Sequence, residues 1–345
     1  MRISLIVPAP FDSLSGGTVY ERRMAQALRM AGHHVDTIEL AGAHPLTDAR
    51  AFEAAEAAWR DLPSGNCRVI DGLALPAFRD LAGELAFSQA VGLVHHPTAL
   101  ETGHSEQDRR ALRETEGRLL PMLSRVVVTS EPTAERLVTD FGVVRERIAV
   151  VVPGTDDAPR SIGSGSSTCH VLSVGTLVPR KGHDLLIRAL ARLFDLDWRL
   201  TIAGSPDRDA VHAGTLAALA DQLGVGSRIE LAGEVAPEEL EHLWATADVF
   251  ALATHWEGYG VAIADALKRG VPVAVTSGGA AALLVPAEGG IVCEPGDLAG
   301  FSTALRRLVF SAELRRQMAD EAWRAGQALP SWQDQARAFV QALAA

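Results

Sequence analysis

The feature that most constrains this chain is a repeated alternation. Short, unbroken apolar runs rich in β-branched residues recur between helix-like stretches. In the first half they are RISLIV (2–7), HVDTIEL (34–40), AVGLVHH (90–96), RVVVTS (125–130) and IAVVVP (148–153). In the second half they are HVLSVG (170–175), WRLTIAG (198–204), RIELAG (228–233), DVFALA (248–253), PVAVTS (272–277) and GGIVCE (289–294). Continuous rather than alternating apolar strands are buried on both faces, which is the signature of parallel sheets. Helical patterns lie between them, such as 18–31 with Val19, Met24, Ala27, Leu28 and Ala31 on one face. Strand and helix in alternation give βαβ units and an α/β, doubly wound fold.

The pattern restarts after SIGSGSST (161–168), a Gly/Ser-rich segment that reads as a linker. With 345 residues, two cores are expected rather than one. The expected division is a Rossmann-like domain over 1–163, a second over 168–327, and a final amphipathic helix within 328–345 returning to the first. Two such domains would face each other across a cleft. In open α/β sheets ligands bind beyond the carboxyl ends of strands, so functional groups should follow strands.

Composition excludes several classes. A net charge of −11 lacks the basic footprint that nucleic-acid binding needs. The three cysteines, Cys67, Cys169 and Cys293, form no CxxC pair, so structural zinc and a disulfide framework are not expected. No apolar run approaches the roughly 20 residues of a membrane span, and ISLIV is too short for a signal peptide. A cytoplasmic protein is the expectation, with the inner-membrane surface as a compatible location. The chain has only two lysines, Lys181 and Lys268, which draws attention to both.

Four loops after strands carry chemistry. PAPFDSLSGGTVYERRMAQAL (8–28) sets Gly16 and Gly17 before a helix, where backbone can approach a ligand and N–H groups attract an anion. A tight βα turn explains the same glycines equally well, and no GxGxxG dinucleotide fingerprint is present. HHPTALETG (95–103) sets His95 and His96 at a strand's carboxyl end, where a histidine can bond a sugar hydroxyl or share in proton transfer; a solvated loop-edge histidine is the plainer alternative. VGTLVPRKGHDLLIRAL (174–190) places Arg180 and Lys181 just before a helix, a diphosphate-binding pattern.

THWEGYGVAIADALKRGVPV (254–273) holds Glu257 in an exposed-looking loop, and Asp265 eight residues later on a helix starting near Gly260. Backbone N–H groups of Gly258, Tyr259 and Gly260 would face an anion, while each carboxylate can accept two hydroxyls of a diol. Arg180 and Lys181 would offset the repulsion between those acids and a phosphate. Three other signals read as ordinary structure: DLD (195–197) as a turn, DRRALRETEGR (108–118) as a solvated charged face, and Lys268 as a complement to a helix C-terminus.

Taken together, SGG with its helix, GHHVDTIEL, VTSEPTAERL, VVPG, VGTLVPRKGHDLLIRAL and the stretch LEHLWATADVFALATHWEGYGVAIADALKRGVPVAVTSGG resemble the family 4 retaining glycosyltransferases. The resemblance covers nearly the whole chain. It implies a GT-B fold of two Rossmann-like domains and transfer of a sugar from a nucleoside-diphosphate donor, UDP by base rate, without a metal cofactor. By the family pattern Glu257 contacts the transferred sugar, Asp265 the ribose, Lys181 the diphosphate, Gly16 and Gly17 the donor and acceptor, and His95 the sugar. The acceptor, a small molecule, lipid or glycan, is not legible, and segment 41–89 carries no readable motif. Three positions depart from the pattern: Asp265 replaces the usual Glu, Thr176 the usual Arg, and GGAAALLVP lacks an acid after its glycines. The same fold also suits a nucleotide-sugar epimerase or hydrolase, which needs no acceptor, and Asp265 and Thr176 keep open a non-catalytic nucleotide-sugar-binding subunit.

Overall fold

The computed structural model describes residues 1–12, 16–63 and 65–344. It divides into two compact units, Met1–Gly154 with Pro330–Ala345, and Thr155–Leu329. Each is built on one six-stranded, wholly parallel sheet.

In the first unit the strands are β1 (Arg2–Pro8), β2 (His34–Leu40), β3 (Cys67–Asp71), β4 (Val91–Val94), β5 (Arg125–Val128) and β6 (Ile148–Val150). Their spatial order is β2-β1-β3-β4-β5-β6. The direction of winding reverses between β1 and β3, so loops leaving those strands diverge to opposite faces there. The apolar runs of the inner strands are buried, with Ile3, Ile6, Val7, Leu93 and Val126–Val128 all inside, whereas the edge strand β2 buries only Val35 and Leu40.

Strand β3 is an element that sequence patterning did not reveal. It lies in the segment 41–89, together with a helix over Ala49–Asp61 capped by Asp48, whose carboxylate accepts from the Ala51 N–H at 2.9 Å. CRVID is short, and only its last three residues are buried, so its apolar signal is weak.

The second unit contains β7 (Cys169–Val174), β8 (Trp198–Ala203), β9 (Ile229–Gly233), β10 (Val249–Leu252), β11 (Val273–Thr276) and β12 (Gly290–Cys293), ordered β12-β11-β10-β7-β8-β9. Here the reversal lies between β7 and β10.

The Gly/Ser-rich segment 161–168 is not the divide. It is hydrogen-bonded into the second unit: Ser161 N–H donates to Arg269 O, Ile162 N–H to Ala245 O, and Ser164 N–H to the Asp248 carboxylate. The chain leaves the first unit earlier, after Gly154. It returns at Pro330, and the helix Trp332–Ala344 packs on the helix Gly16–Met30. Trp332, Ala336 and Phe339 join Tyr20, Met24 and Leu28 in one apolar cluster with β1. Full burial of a side chain such as Phe339 is worth about 1.5–3 kcal/mol, and Trp332, Ala336 and Ala342 add to it in holding the terminal helix.

Candidate functional site

In the second unit the loops leaving β7, β10 and β11, three neighbouring strands, converge at the winding reversal. The loop after β7 turns through Pro179–Lys181 and enters the helix His183–Ala191 at Gly182. Gly182 has φ +65°, and a Cβ there would lie 2.0 Å from Ala253 O, so this approach to the β10 loop admits only glycine. The contact is reinforced by the Arg180 carbonyl, which accepts from His255 N–H at 2.8 Å. On the other side, Glu257 N–H donates to Gly278 O and Ala280 N–H to Glu257 O, binding the β10 loop to the glycines after β11.

These clamps fix Glu257. The sequence suggested an exposed loop; instead Thr254, Glu257 and Tyr259 are all buried, because the loop is paired on both sides. Lys181 Nζ lies 2.8 Å from Glu257 Oε1, Thr254 Oγ1 donates to the same oxygen at 2.9 Å, and Arg180 Nη1 stands 3.7 Å away while donating to Trp256 O. Burial alone would raise the Glu257 pKa. The charges of Lys181 and Arg180, with the hydrogen bonds from Lys181 and Thr254, outweigh it and hold the carboxyl below its ordinary range. Both cations therefore meet at one ionised carboxylate.

Gly258, Tyr259 and Gly260 form the turn into the helix Val261–Lys268. Asp265 lies on that helix, 38% exposed, with Oδ1 3.6 Å from Arg269 Nη1. Burial, then the nearby Asp265 charge, pushes the Tyr259 hydroxyl up to about 12. Lys268 lies in the last turn of the same helix, where it complements the C-terminus; it is also buried, with its ammonium 3.2 Å from Asp157. Asp195 and Asp197 of DLD precede β8, Asp195 pairing with Arg306 and Asp197 accepting from Thr168.

One group near Lys181 was not singled out by sequence. His183 is fully buried, both ring nitrogens lack hydrogen-bond partners, and burial with the Lys181 and His212 charges lowers its pKa to about 3. It is therefore neutral. Its place directly after KG was visible, but its burial was not.

In the first unit the start of the helix Gly16–Met30, the end of β3 and the loop after β4 come together. Ser15 of the SGG motif lies outside the described residues; Gly16 and Gly17 open the helix Gly16–Met30. A Cβ on Gly17 would sit 3.2 Å from His95 Cδ2, so Gly17 and His95 are neighbours. The His95 ring also meets Tyr20 edge-on, with centroids 5.0 Å apart. Behind it lie two residues that sequence reasoning missed. Glu21 is on the first helix and Asp71 ends β3; both are buried, and His95 Nε2 is 3.7 Å from Glu21 Oε1. Burial pushes Glu21 up to about 7 and Asp71 well above the usual carboxylate range, and lowers His95. Among the described residues, no helix is long and apolar enough to cross a membrane.

Comparison with known proteins agrees with this architecture. Residues 14–158 match the family Glycosyltransferase Family 4, and residues 155–324 match Glycosyl transferases group 1. A D-inositol 3-phosphate glycosyltransferase of Corynebacterium glutamicum is 28% identical over 233 residues, which is 62% of this chain and 56% of that protein. The chain thus spans little more than half of that relative's length. Among solved structures, sucrose-phosphate synthase from Thermosynechococcus elongatus superposes with a TM-score of 0.82 at 20% identity, covering 99% of this chain and 98% of its own. Anabaena HepE in complex with UDP-glucose gives 0.77 at 17% identity, covering 99% and 100%. At these identities the likeness is one of fold, and the fold is GT-B. With two parallel Rossmann-like sheets, and with the two family matches together running from residue 14 to 324, the chain belongs to the family 4 glycosyltransferases.

Proposed function

We propose that this protein transfers a glycosyl group from a nucleoside-diphosphate sugar to an acceptor hydroxyl, with retention of anomeric configuration and without a metal ion. The observation that carries the reading is the convergence of Lys181, Arg180 and Thr254 on buried Glu257 at the carboxyl ends of β7 and β10. The cations are held ready for a diphosphate. When it binds, it shares Lys181 and Arg180 with Glu257, and the carboxylate becomes available to sugar hydroxyls. Charge that develops on the leaving phosphate is then met by preorganised cations in a site from which water is largely excluded. The departing phosphate receives the proton of the attacking hydroxyl, so no separate base is required. Asp265 accepts from the ribose diol, its exposure leaving it open to ligand. His95 and Gly17, adjacent in the first unit, serve the transferred sugar and acceptor.

UDP is the expected nucleotide. HepE, a structural neighbour, is solved with UDP-glucose. The inositol-phosphate acceptor named for the Corynebacterium relative is one candidate among polyol acceptors.

The test is a thermal-shift panel of UDP, GDP, ADP and TDP with their sugar conjugates, in EDTA and in magnesium. One nucleotide should stabilise the protein in EDTA; at 100 times its Kd the gain is about 2.7 kcal/mol. No stabilisation by any of them would refute donor binding. A requirement for magnesium would refute metal independence. Once a donor and acceptor are found, Glu257→Ala should sharply reduce turnover, and an unchanged rate would remove Glu257 from the mechanism.

A further inference from the structure

The buried group behind His95 has a role of its own. A carboxylate oxygen of Asp71, one of Glu21 and a ring nitrogen of His95 all lie within 4.8 Å of one another, and both acids are buried. Two buried carboxylates that close offer each other only acceptors and repel when both are ionised, so one of the two carries a proton and donates it to the other. Asp71 Oδ1 already accepts from Leu73 N–H at 2.9 Å. Burial and the neighbouring Glu21 charge push Asp71 well above the usual carboxylate range, so the proton is assigned to Asp71. Glu21 is then a carboxylate with capacity to accept again.

Its Oε1 is buried without a hydrogen-bond partner, as is Nε2 of His95, and these two orphaned atoms face each other at 3.7 Å. A bare Nε2 would set acceptor against acceptor. An Nε2–H would satisfy both atoms after a shift of under ~1 Å, to ordinary hydrogen-bond length. The surroundings offer few other partners. Besides Tyr20 on the same helix, whose hydroxyl donates to Val151 O, the wall beside Glu21 is Ile3, Leu5, Val69 and Leu93. His95 remains 21% exposed although Nε2 is buried, so its exposed part lies elsewhere on the ring.

We propose that Asp71 and Glu21 form a proton-holding pair, Asp71 O–H donating to the Glu21 carboxylate and that carboxylate receiving His95 Nε2–H, which fixes the histidine in the tautomer whose Nδ1 accepts. Glu21 and Asp71 are positioning residues in this scheme. Two groups from two elements, the first helix and β3, hold the ring of the β4 loop in one protonation state. Resting on the assignment of His95 to the sugar site, this means that His95 accepts a hydrogen bond from a hydroxyl of sugar or acceptor and does not donate one. No bond other than hydrogen bonds is made or broken, and the pair retains its proton throughout.

The test uses the full chain labelled with 15N-histidine, without donor or acceptor. At pH 8 the His95 resonances, identified by their loss in His95→Gln, should show a protonated Nε2 and a bare Nδ1. Glu21→Ala should abolish that single-tautomer signature. Glu21→Gln should retain it, because the amide can donate to an ionised Asp71 while its oxygen accepts from Nε2–H. Carbon-13-labelled aspartate should show one carboxyl still protonated at pH 7. An Nδ1–H tautomer in the wild type, an unchanged signature in Glu21→Ala, or every aspartate ionised at pH 7 would overturn the proposal. So would a stoichiometric divalent cation, found by elemental analysis and lost in Glu21→Gln. Since none of these readouts needs turnover, a fixed tautomer together with full activity in His95→Gln would instead refute the sugar-site role and leave the pair standing.

Discussion

Replacing Lys181 with methionine tests the central site most directly. The ammonium is 2.8 Å from Glu257 Oε1, and the two side chains are only 14% and 8% exposed. At an effective dielectric of about 20, a pair at that distance is worth about 6 kcal/mol of gross attraction, most of it offset by desolvation. Deleting one partner of a buried pair costs about 3–5 kcal/mol, because the other charge is left behind. Here Arg180 at 3.7 Å and the Thr254 hydroxyl remain with Glu257, so the lower end, about 3 kcal/mol, is expected. For a unit of this size that is a fall of about 6–12 °C in the melting temperature of the second unit.

The double variant Lys181→Met/Glu257→Gln should recover most of the loss, since no unpaired charge remains. The pH dependence has a defined sign. Glu257 is held below its ordinary pKa in the native protein, so its contribution is present above the unfolded value and is lost as pH falls through the folded one. Without Lys181, burial dominates and the carboxyl titrates at higher pH, so the deficit of the single variant should be smaller at pH 5 than at pH 8. Calorimetry of the wild type and the two variants at both pH values measures this. Equal melting temperatures for the single and double variants would refute the buried ion pair as the organiser of the site.

Three further outcomes follow from the geometry. Glu21 is raised from 4.5 to about 7, so wild-type stability should decline as pH rises from about 4.5 to 7 by about 3 kcal/mol, and urea melts of Glu21→Gln should lack most of that decline; equal slopes would remove the coupling. Asp265→Asn should leave the unliganded melting temperature nearly unchanged, because the carboxylate is 38% exposed, yet should weaken stabilisation by the nucleotide; an undiminished ligand shift would take Asp265 out of the ribose site. Gly182→Ala should destabilise the second unit by more than the ~1 kcal/mol of backbone strain, since its Cβ would meet Ala253 O at 2.0 Å, and a wild-type melting curve would contradict the placement of that loop.

The fold class and most of the second-unit site were legible in the chain because they depend on local pattern. A strand buried on both faces must be continuously apolar, and β7, β10 and β11 are. A loop that brings cations to a carboxylate needs them next to strand ends, and Arg180, Lys181 and Glu257 stand there. The order of strands, the limits of the units and the state of buried acids were decided only in three dimensions. Segment 161–168 has a linker's composition, yet Ser161 and Ser164 bond to groups about 84 residues distant. Glu21 reads as one more charge in YERR. It is buried because β3, from a stretch without apparent pattern, inserts between β1 and β4, and because a helix over 300 residues later covers Tyr20 and Met24. That insertion also carries Asp71 to His95. Local sequence sets which residues can form a strand or a loop; desolvation and proton sharing depend on neighbours that only the completed packing supplies.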